Sequence, residues 1–490
     1  MTPMPTRRRL KGAAAGPRFA GHLVTAAAVL LGGCSLLPAE QVVPPEPDVP
    51  AAWSTPAPDS GAGASPAWWR SFDDPQLTAL VARSQQTNTD VLRAQAALRQ
   101  ARALRDAAAA GLQPTLSTSA SAQVGSSGGQ STGNRFQAGL DAGWELDIFG
   151  ERRSALASAD ASARASAASL ADLQASIAAE VALSYITLRS AQARLAIASE
   201  NLDSQLQTLQ ITEWRVQAGL LSALEVEQSR AAAAQTQAQL PALQTSIERT
   251  AHALAVLTGQ PPAALAALVA QAAPVPRSAD TLALDVPAQT LRHRPDVRAA
   301  EAQVLAAQAR VSQAQAARYP NFRLGGSLIL NAVTLSGLGS TALATSLVAG
   351  VNWPLWDGGA ARAQVQAQVA ALEQARASYR GTVLAALRDV EDALVALRGD
   401  MQRQARLQQA ADAAALAAEL ARQRYASGLV DFQTVLETQR NQLGTRDSVA
   451  TALAEVSADR VRLYKALGGG WRADDDAAVR PAALPVSDPR

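Results

Sequence analysis

The sequence has one cysteine and three histidines, and each shortage removes a class of function. A lone Cys34 cannot form a disulfide within one chain. After the first 33 residues only His252 and His293 remain, and their spacing matches no metal-ligand set. No glycine-rich phosphate loop of the GxxxxGK type is present, so any energy must come from a partner. The sequence therefore predicts neither an enzyme nor a cofactor.

Aromatic residues are also scarce, at 4%, and two long segments lack proline. Residues 151–217 contain neither proline nor glycine, so a continuous helix there would be about 100 Å long. Apolar residues recur in it at steps of seven from Val181 to Val216. The segment 360–427 shows steps of four and three from Val383 to Met401, which is typical of a coiled-coil seam. Buried helices of a globular bundle are the alternative, although these usually span ~8–20 residues.

The chain contains two copies of one pattern. RVQAGLLSALEVEQSR, from Arg215, recurs as RYASGLVDFQTVLETQR from Arg424, 209 positions later. LAVLTG, ending at Gly259, recurs as LYKALG, ending at Gly468, at the same offset. This period is far longer than that of a solenoid repeat, so it indicates a duplicated domain. We predict a first repeat over 68–270, a linker over 271–291 and a second repeat over 292–470, with returning helices at 222–258 and 431–467.

Each long segment is preceded by two stretches in which apolar and polar residues alternate. Alternation with a period of two predicts strands, here at 115–124, 136–146, 321–330 and 343–355. Their length of ~9–11 residues suits tilted strands that cross a bilayer, and a soluble hairpin is the alternative. We assign the apolar face, with Leu140 and Val351, to lipid and the face with Asp141 to water.

Four strands are too few for a closed barrel, and open sheet edges are not tolerated in lipid. Three chains would supply 12 strands, an even number within the bacterial range. The expected fold is therefore mainly α with a transmembrane β-barrel: four strands per chain, and a homotrimer forming a 12-stranded barrel. Long helices would continue the barrel as a periplasmic tube.

The first residues predict export. Arg7, Arg8 and Arg9 precede a short apolar run, and Leu31-Gly32-Gly33-Cys34 follows it, as in a secretory signal. This end resembles a bacterial lipobox, which implies removal of residues 1–33, lipid on Cys34 and, with Ser35 next, the outer membrane. An ordinary signal peptide is the alternative. Residues 34–67 would be a lipidated tether, and 471–490 a flexible tail.

Cleavage would remove five of the 44 basic residues and none of the 42 acidic ones, leaving a charge of about −3. A chain with this balance and no basic patch is not expected to bind nucleic acid.

Four motifs resemble one family: WWRSFDDPQL (68–77), LRHRPDVRAAE (291–301), WPLWDGG (353–359) and LYKALGGGW (463–471). They are similar to the TolC-like outer-membrane factors, specifically the NodT/OprM-type lipoproteins of RND multidrug efflux systems. The resemblance covers residues 68–471. It implies a trimeric conduit in the outer membrane of a Gram-negative bacterium. Its partners would be a periplasmic membrane-fusion adaptor and an inner-membrane RND-type pump.

The repeated segments predict two helical hairpin turns. Gly219 and Gly428 can adopt the left-handed conformation that reverses a helix. Ser222 and Asp431 can cap the returning helices. The family resemblance implies that these tips, with Leu220 and Leu429, also dock the adaptor.

The resemblance further implies a periplasmic gate near the tips. Glu225 and Glu437 match acidic family positions, and Tyr425 matches a tyrosine that bonds to the acid of the first repeat. Arg440 matches a common arginine partner. Gln433 stands where other members carry an apolar constriction residue, so the closing contacts differ here. Solvated helix faces are the alternative for these residues.

Three functions remain at this stage. The first is the exit channel of a tripartite efflux system for drugs or other small molecules. The second is the outer-membrane channel of a type I secretion system. The third is a lipid-anchored coiled-coil adaptor, which would have no use for amphipathic strands.

Overall fold

The computed structural model describes residues 49–54, 66–125, 133–278, 287–332 and 343–471. The predicted signal, Cys34, most of the tether and nearly all of the tail lie outside these residues. The described chain divides into a strand unit, drawn from 115–150 and 319–353, and a helical unit formed by the rest.

The strand unit contains four strands: β1 (Thr115–Gly125), β2 (Gly133–Leu146), β3 (Asn321–Ala332) and β4 (Leu343–Asn352). The described part of the helical unit contains ten α-helices: α1 (Pro75–Thr87), α2 (Thr89–Ala110), α3 (Glu151–Gln217), α4 (Ala223–Gln237), α5 (Gln239–Leu257), α6 (Ala266–Ala270), α7 (Pro287–His293), α8 (Pro295–Ala316), α9 (Ala360–Ala426) and α10 (Phe432–Ala466). Short 3₁₀ turns occupy Trp68–Phe72 and Pro262–Leu265.

The four strands form one antiparallel sheet in the order β1-β2-β3-β4. The register keeps the two predicted faces apart. Leu140 lies opposite Thr118 and Leu328. The adjacent row lies on the other face and is polar throughout: Ser117, Asp141, Ser327 and Ser346. The alternation predicted from sequence is therefore continuous across both repeats, because β2 of the first pairs with β3 of the second.

Strand lengths differ slightly from those predicted. β2 begins at Gly133 rather than at 136. β4 ends at Asn352 rather than at 355. Pro354 follows and has no N–H to donate to a sheet, which explains the early end.

The two long helices match their predicted ranges, but the shorter ones are more broken than predicted. Asn88 separates α1 from α2 and caps α2 by accepting from the N–H groups of Asp90 and Val91. The returning helix expected at 222–258 is interrupted at Ala238, and Pro241 lies in the first turn of α5. Proline lacks the N–H that would continue the helical ladder.

Four aromatic residues take part in one buried cluster, Trp68, Phe72, Tyr185 and Tyr464. Trp68 stacks on Tyr464, with ring centroids 5.5 Å apart, and Phe72 packs edge-on against Trp68. Tyr185, in the middle of α3, donates a hydrogen bond of 2.8 Å to Asp74. That carboxylate also caps α1 by accepting from Gln76. The core is thus centred where the middle of α3 meets the start of α1 and the end of α10.

The chain before Trp68 also contacts the helical unit. Val49 packs near Val383 of α9, and Trp53 packs near Val390. The N–H of Ser54 donates a 2.8 Å hydrogen bond to Glu391, and its hydroxyl bonds to the same carboxylate. Residues 49–54, here called the docked segment, therefore follow about two turns of α9.

Candidate functional site

The tip turns between α3 and α4 and between α9 and α10 are built alike. Gly219 and Gly428 have φ angles of 72° and 73°. The next residue, Leu220 or Leu429, donates its N–H to the carbonyl five positions earlier, at 2.8 and 2.9 Å. This left-handed glycine with its 6→1 hydrogen bond is the Schellman motif, which completes the last carbonyls of a helix. The predicted glycine turns are confirmed in both repeats.

The returning helices begin with different caps. The carboxylate of Asp431 accepts from the N–H and the hydroxyl of Thr434, and these bonds lower the pKa of Asp431. At the first tip the N–H and hydroxyl of Ser222 donate to the carboxylate of Glu225, at 2.7 and 3.0 Å. Glu225 is therefore occupied by the cap of α4 within this chain.

Both tips expose a large apolar side chain. Leu220 is 72% exposed and Leu429 is 74% exposed. The turn uses the left-handed glycine and the backbone N–H of the next residue, so its hydrogen bonds do not require a leucine side chain there. Leu220 and Leu429 form an apolar pair of positions, here called the tip leucines.

The two tips are joined through Tyr425 at the end of α9. Its ring packs against Phe432, with centroids 5.5 Å apart. The guanidinium of Arg215, at the end of α3, lies 5.0 Å from the centre of the same ring. Such a cation–π contact is worth ~0.5–1 kcal/mol at an exposed site. Arg215 was not among the predicted gate residues, although it opens the repeated segment.

The other predicted gate residues are placed differently. The Tyr425 hydroxyl is buried and has no hydrogen-bond partner within the described chain, and no bond to Glu225 is formed there. Gln433, Glu437 and Arg440 are exposed and lie three and four residues apart, on one face of α10. One chain therefore brings Tyr425 to Arg215, and presents the remaining three side chains outward.

Two helix joints explain the second repeated motif. At the first, the start of α2 meets the end of α5: Asn88 donates a 2.9 Å hydrogen bond to the carbonyl of Leu257, and Thr87 donates to Thr258 at 2.7 Å. Gly259 has a φ of 65°, and a Cβ there would lie 2.3 Å from the carbonyl oxygen of Thr87. Only glycine fits this approach.

The second joint is held by a charged side chain, Arg294. Arg294 donates to the carbonyl of Ala466 at 2.9 Å, so the start of α8 meets the end of α10. Its guanidinium also pairs with Asp296 at 2.7 Å and with Asp389 at 3.3 Å. Gly468, with a φ of 79°, corresponds to Gly259 and approaches His293. The repeat makes both glycines visible in the sequence, but their role depends on backbone that is distant in sequence, at Thr87 and His293.

The family model described as "Outer membrane efflux protein" matches residues 80–260 and 286–469, and so covers both tips and both joints. This chain belongs to that family. This chain is 35% identical over 459 residues to the pyoverdine export outer membrane protein OpmQ of Pseudomonas putida, covering 90% of this chain and 96% of OpmQ. It is 32% identical to Nodulation protein T of Rhizobium leguminosarum bv. viciae, covering 93% and 94%.

Solved structures agree with this assignment. The outer-membrane channel OprN superposes with a TM-score of 0.82 at 36% identity, covering 88% of this chain and 98% of OprN. The resemblance stated from four motifs is thereby confirmed, as is the predicted fold class. As a member of the family, the efflux protein acts in the outer membrane as the exit channel of a tripartite efflux system.

Among the described helices, no individual one has both the length and the hydropathy to cross a bilayer; one bent pair, Ala223–Leu257 with Pro262–Ala270, meets those two criteria together. In the sheet, tryptophans lie near strand ends: Trp144 and Trp353 are 39% and 53% exposed. Tryptophan at such positions is typical of the boundary between lipid and water.

Proposed function

We propose that the efflux protein works as a homotrimer whose three sheets close one barrel of 12 strands. The support is the sheet itself: within the described chain β1 pairs only with β2, and β4 only with β3. Each sheet therefore has two open edges, which would leave backbone N–H and C=O groups unpaired in lipid at several kcal/mol each. Pairing β1 of one chain with β4 of the next removes every edge.

The tips are proposed to bind the periplasmic adaptor. The supporting observation is the duplicated exposure of the tip leucines, Leu220 and Leu429, on turns of identical geometry. Three chains would present six such positions. Apolar side chains surrounded by polar surface are typical of protein–protein contacts. An adaptor would bridge from here to an inner-membrane pump of the RND type.

The cargo is proposed to be small organic molecules rather than proteins. The relatives with printed substrates include a pyoverdine exporter and a toluene efflux pump outer membrane protein, TtgI, from Pseudomonas putida. Substrate passes by diffusion through the trimer, since nothing in the described chain provides a phosphate-binding loop. Lipid on Cys34 would add an anchor to the barrel.

Drug susceptibility tests the export function. A Gram-negative strain lacking its own channel, supplied with an adaptor and an RND pump, should regain resistance when this chain is expressed. Leu220→Asp with Leu429→Asp should abolish the gain and the crosslinking to the adaptor, while the heat-modifiable trimer remains. Leu220→Met with Leu429→Met keeps both positions apolar and should retain resistance. Full resistance from the aspartate variant would show that the tip leucines do not bind the adaptor.

Lipidation has a separate test. Labelling with a fatty-acid analogue should mark the wild-type protein and leave Cys34→Ser unlabelled. Equal labelling of both proteins would show that Cys34 does not carry the lipid.

A further inference from the structure

A groove lies at the second helix joint, bounded by α3 on one side and α9 on the other. It has a volume of about 670 Å³, within the ~300–1,000 Å³ typical of sites for small organic ligands. Alanines form much of its wall, among them Ala179 of α3 and Ala393 and Ala396 of α9. The groove therefore offers a small, partly apolar surface to a ligand.

The charges that line this groove do not balance. Six acidic and three basic side chains line it, which leaves three negative charges. Arg294 is held by Asp296 at 2.7 Å, and Arg462 by Asp459 at 2.5 Å. Two basic groups are thus bound to carboxylates of the groove already, and the third, Lys465, also lines it. Lys465 and Arg294 attract the carboxylate of Asp172 on the α3 wall.

Two of the carboxylates that line the groove are also buried. The side chain of Asp459 is 2% exposed, and its Oδ2 is buried without a hydrogen-bond partner in the described residues. Burial raises the pKa of Asp172, and the nearby charge of Asp296 raises it further, and together they outweigh the opposite effect of Lys465 and Arg294. A buried carboxylate oxygen without a partner is unfavourable, so a positively charged group in the groove would be stabilised by both.

We propose that this groove binds an organic cation, with its positive amine or quaternary nitrogen near Asp172 and Glu180. Its apolar body lies against the alanine walls. A bare metal ion would gain nothing from those walls, and a polyamine would lack the apolar body to fill them. The inference goes beyond the export function, because binding to the purified trimer requires neither adaptor nor pump.

Fluorescence anisotropy of ethidium, an aromatic monocation, tests the proposal on the full-length protein in nanodiscs of zwitterionic lipid. We expect saturable binding of one ethidium per chain. Asp172→Asn with Glu180→Gln should weaken the affinity about tenfold or more. Glu373→Gln with Asp412→Asn removes two charges from exposed positions of α9 and should leave the affinity unchanged. Equal weakening by both pairs would overturn the site, since it would show a general effect of charge.

A second variant separates shape from charge. Ala396→Phe, at an exposed position of the groove wall, fills the space without changing any charge and should also weaken ethidium binding about tenfold. Spermidine, which carries positive charge without an aromatic body, should not displace ethidium at equal concentration. Unchanged binding in Ala396→Phe, or ready displacement by spermidine, would show that ethidium is attracted only by negative charge. Either result would overturn the proposal. Export in cells is measured separately, so its failure would not be confused with loss of this site.

Discussion

Tyr425 connects the two repeats at their tips through its contact with Arg215, and its ring and its hydroxyl can be tested apart. Tyr425→Phe keeps the ring over which Arg215 lies at 5.0 Å and removes a hydroxyl without a partner in the chain. We expect its single-channel conductance in planar bilayers to match the wild type. Tyr425→Leu removes the ring, and with it a contact of ~0.5–1 kcal/mol per chain, so its conductance should rise.

A raised conductance in Tyr425→Phe would contradict this prediction. If Tyr425→Phe opened the channel as far as Tyr425→Leu, the hydroxyl would have to bond to another chain of the trimer. The bond to Glu225 implied by family resemblance would then be formed between chains.

Asp172 predicts a dependence of stability on pH. Its folded pKa is raised above the ordinary value of an aspartate, chiefly by burial. The folded state therefore holds this proton more tightly than the unfolded state, and stability falls as pH rises from about 4 through the folded pKa. Asp172→Asn removes that loss, so its thermal dissociation temperature should exceed the wild type's at pH 7.5. The two should converge near pH 4.

The matched control is Asp412→Asn, an exposed aspartate of α9. It should shift the dissociation temperature little at either pH. A wild type that remains as stable as Asp172→Asn at pH 7.5 would show that Asp172 is compensated in the trimer.

At the scale of elements, the joints and the tips place glycines of similar φ in different surroundings. Gly259→Ala would have two costs: a left-handed backbone, and a Cβ that lies 2.3 Å from the carbonyl oxygen of Thr87. Gly219→Ala meets only the backbone cost of ~1–2 kcal/mol, because nothing lies within 4 Å of its Cβ. Gly468→Ala is intermediate, with a closest contact of 3.0 Å. Thermal melting by circular dichroism should rank the losses in that order, and equal losses would mean that the first joint opens freely.

The elements also show what sequence can predict. The ends of α3 and α9 were predictable because proline and glycine act locally, and the sheet faces because period two fixes every side chain. The break at Asn88 was missed, since asparagine does not by itself end a helix. It becomes a cap through the carbonyl of Leu257, far away in sequence. Arg215 and Tyr425 likewise meet only once both repeats have folded.

At the scale of the whole molecule, the two sheet faces should tolerate charge differently. Leu140→Arg places a cation on the face assigned to lipid, at ~2–4 kcal/mol per chain near mid-membrane. It should prevent assembly of the heat-modifiable trimer. Asp141→Arg lies on the polar row beside Ser117 and Ser327, and it should assemble and alter conductance. Normal assembly of Leu140→Arg together with failure of Asp141→Arg would reverse the assignment of the faces.

If Cys34 carries lipid, as proposed, the docked segment limits how far that lipid can lie from α9. The fifteen residues from Ser35 to Val49 reach at most about 50 Å. Val49 packs beside Val383, and the α9 backbone from there back to Ala360 rises about 35 Å. If the membrane surface lies where β4 gives way to α9, roughly 15 Å of slack remains. Deleting three residues between Ser35 and Asp48 should leave Trp53 protected from solvent quenchers. Deleting eight residues would make this stretch shorter than the rise of α9, so a lipidated chain would have to release Trp53 from α9.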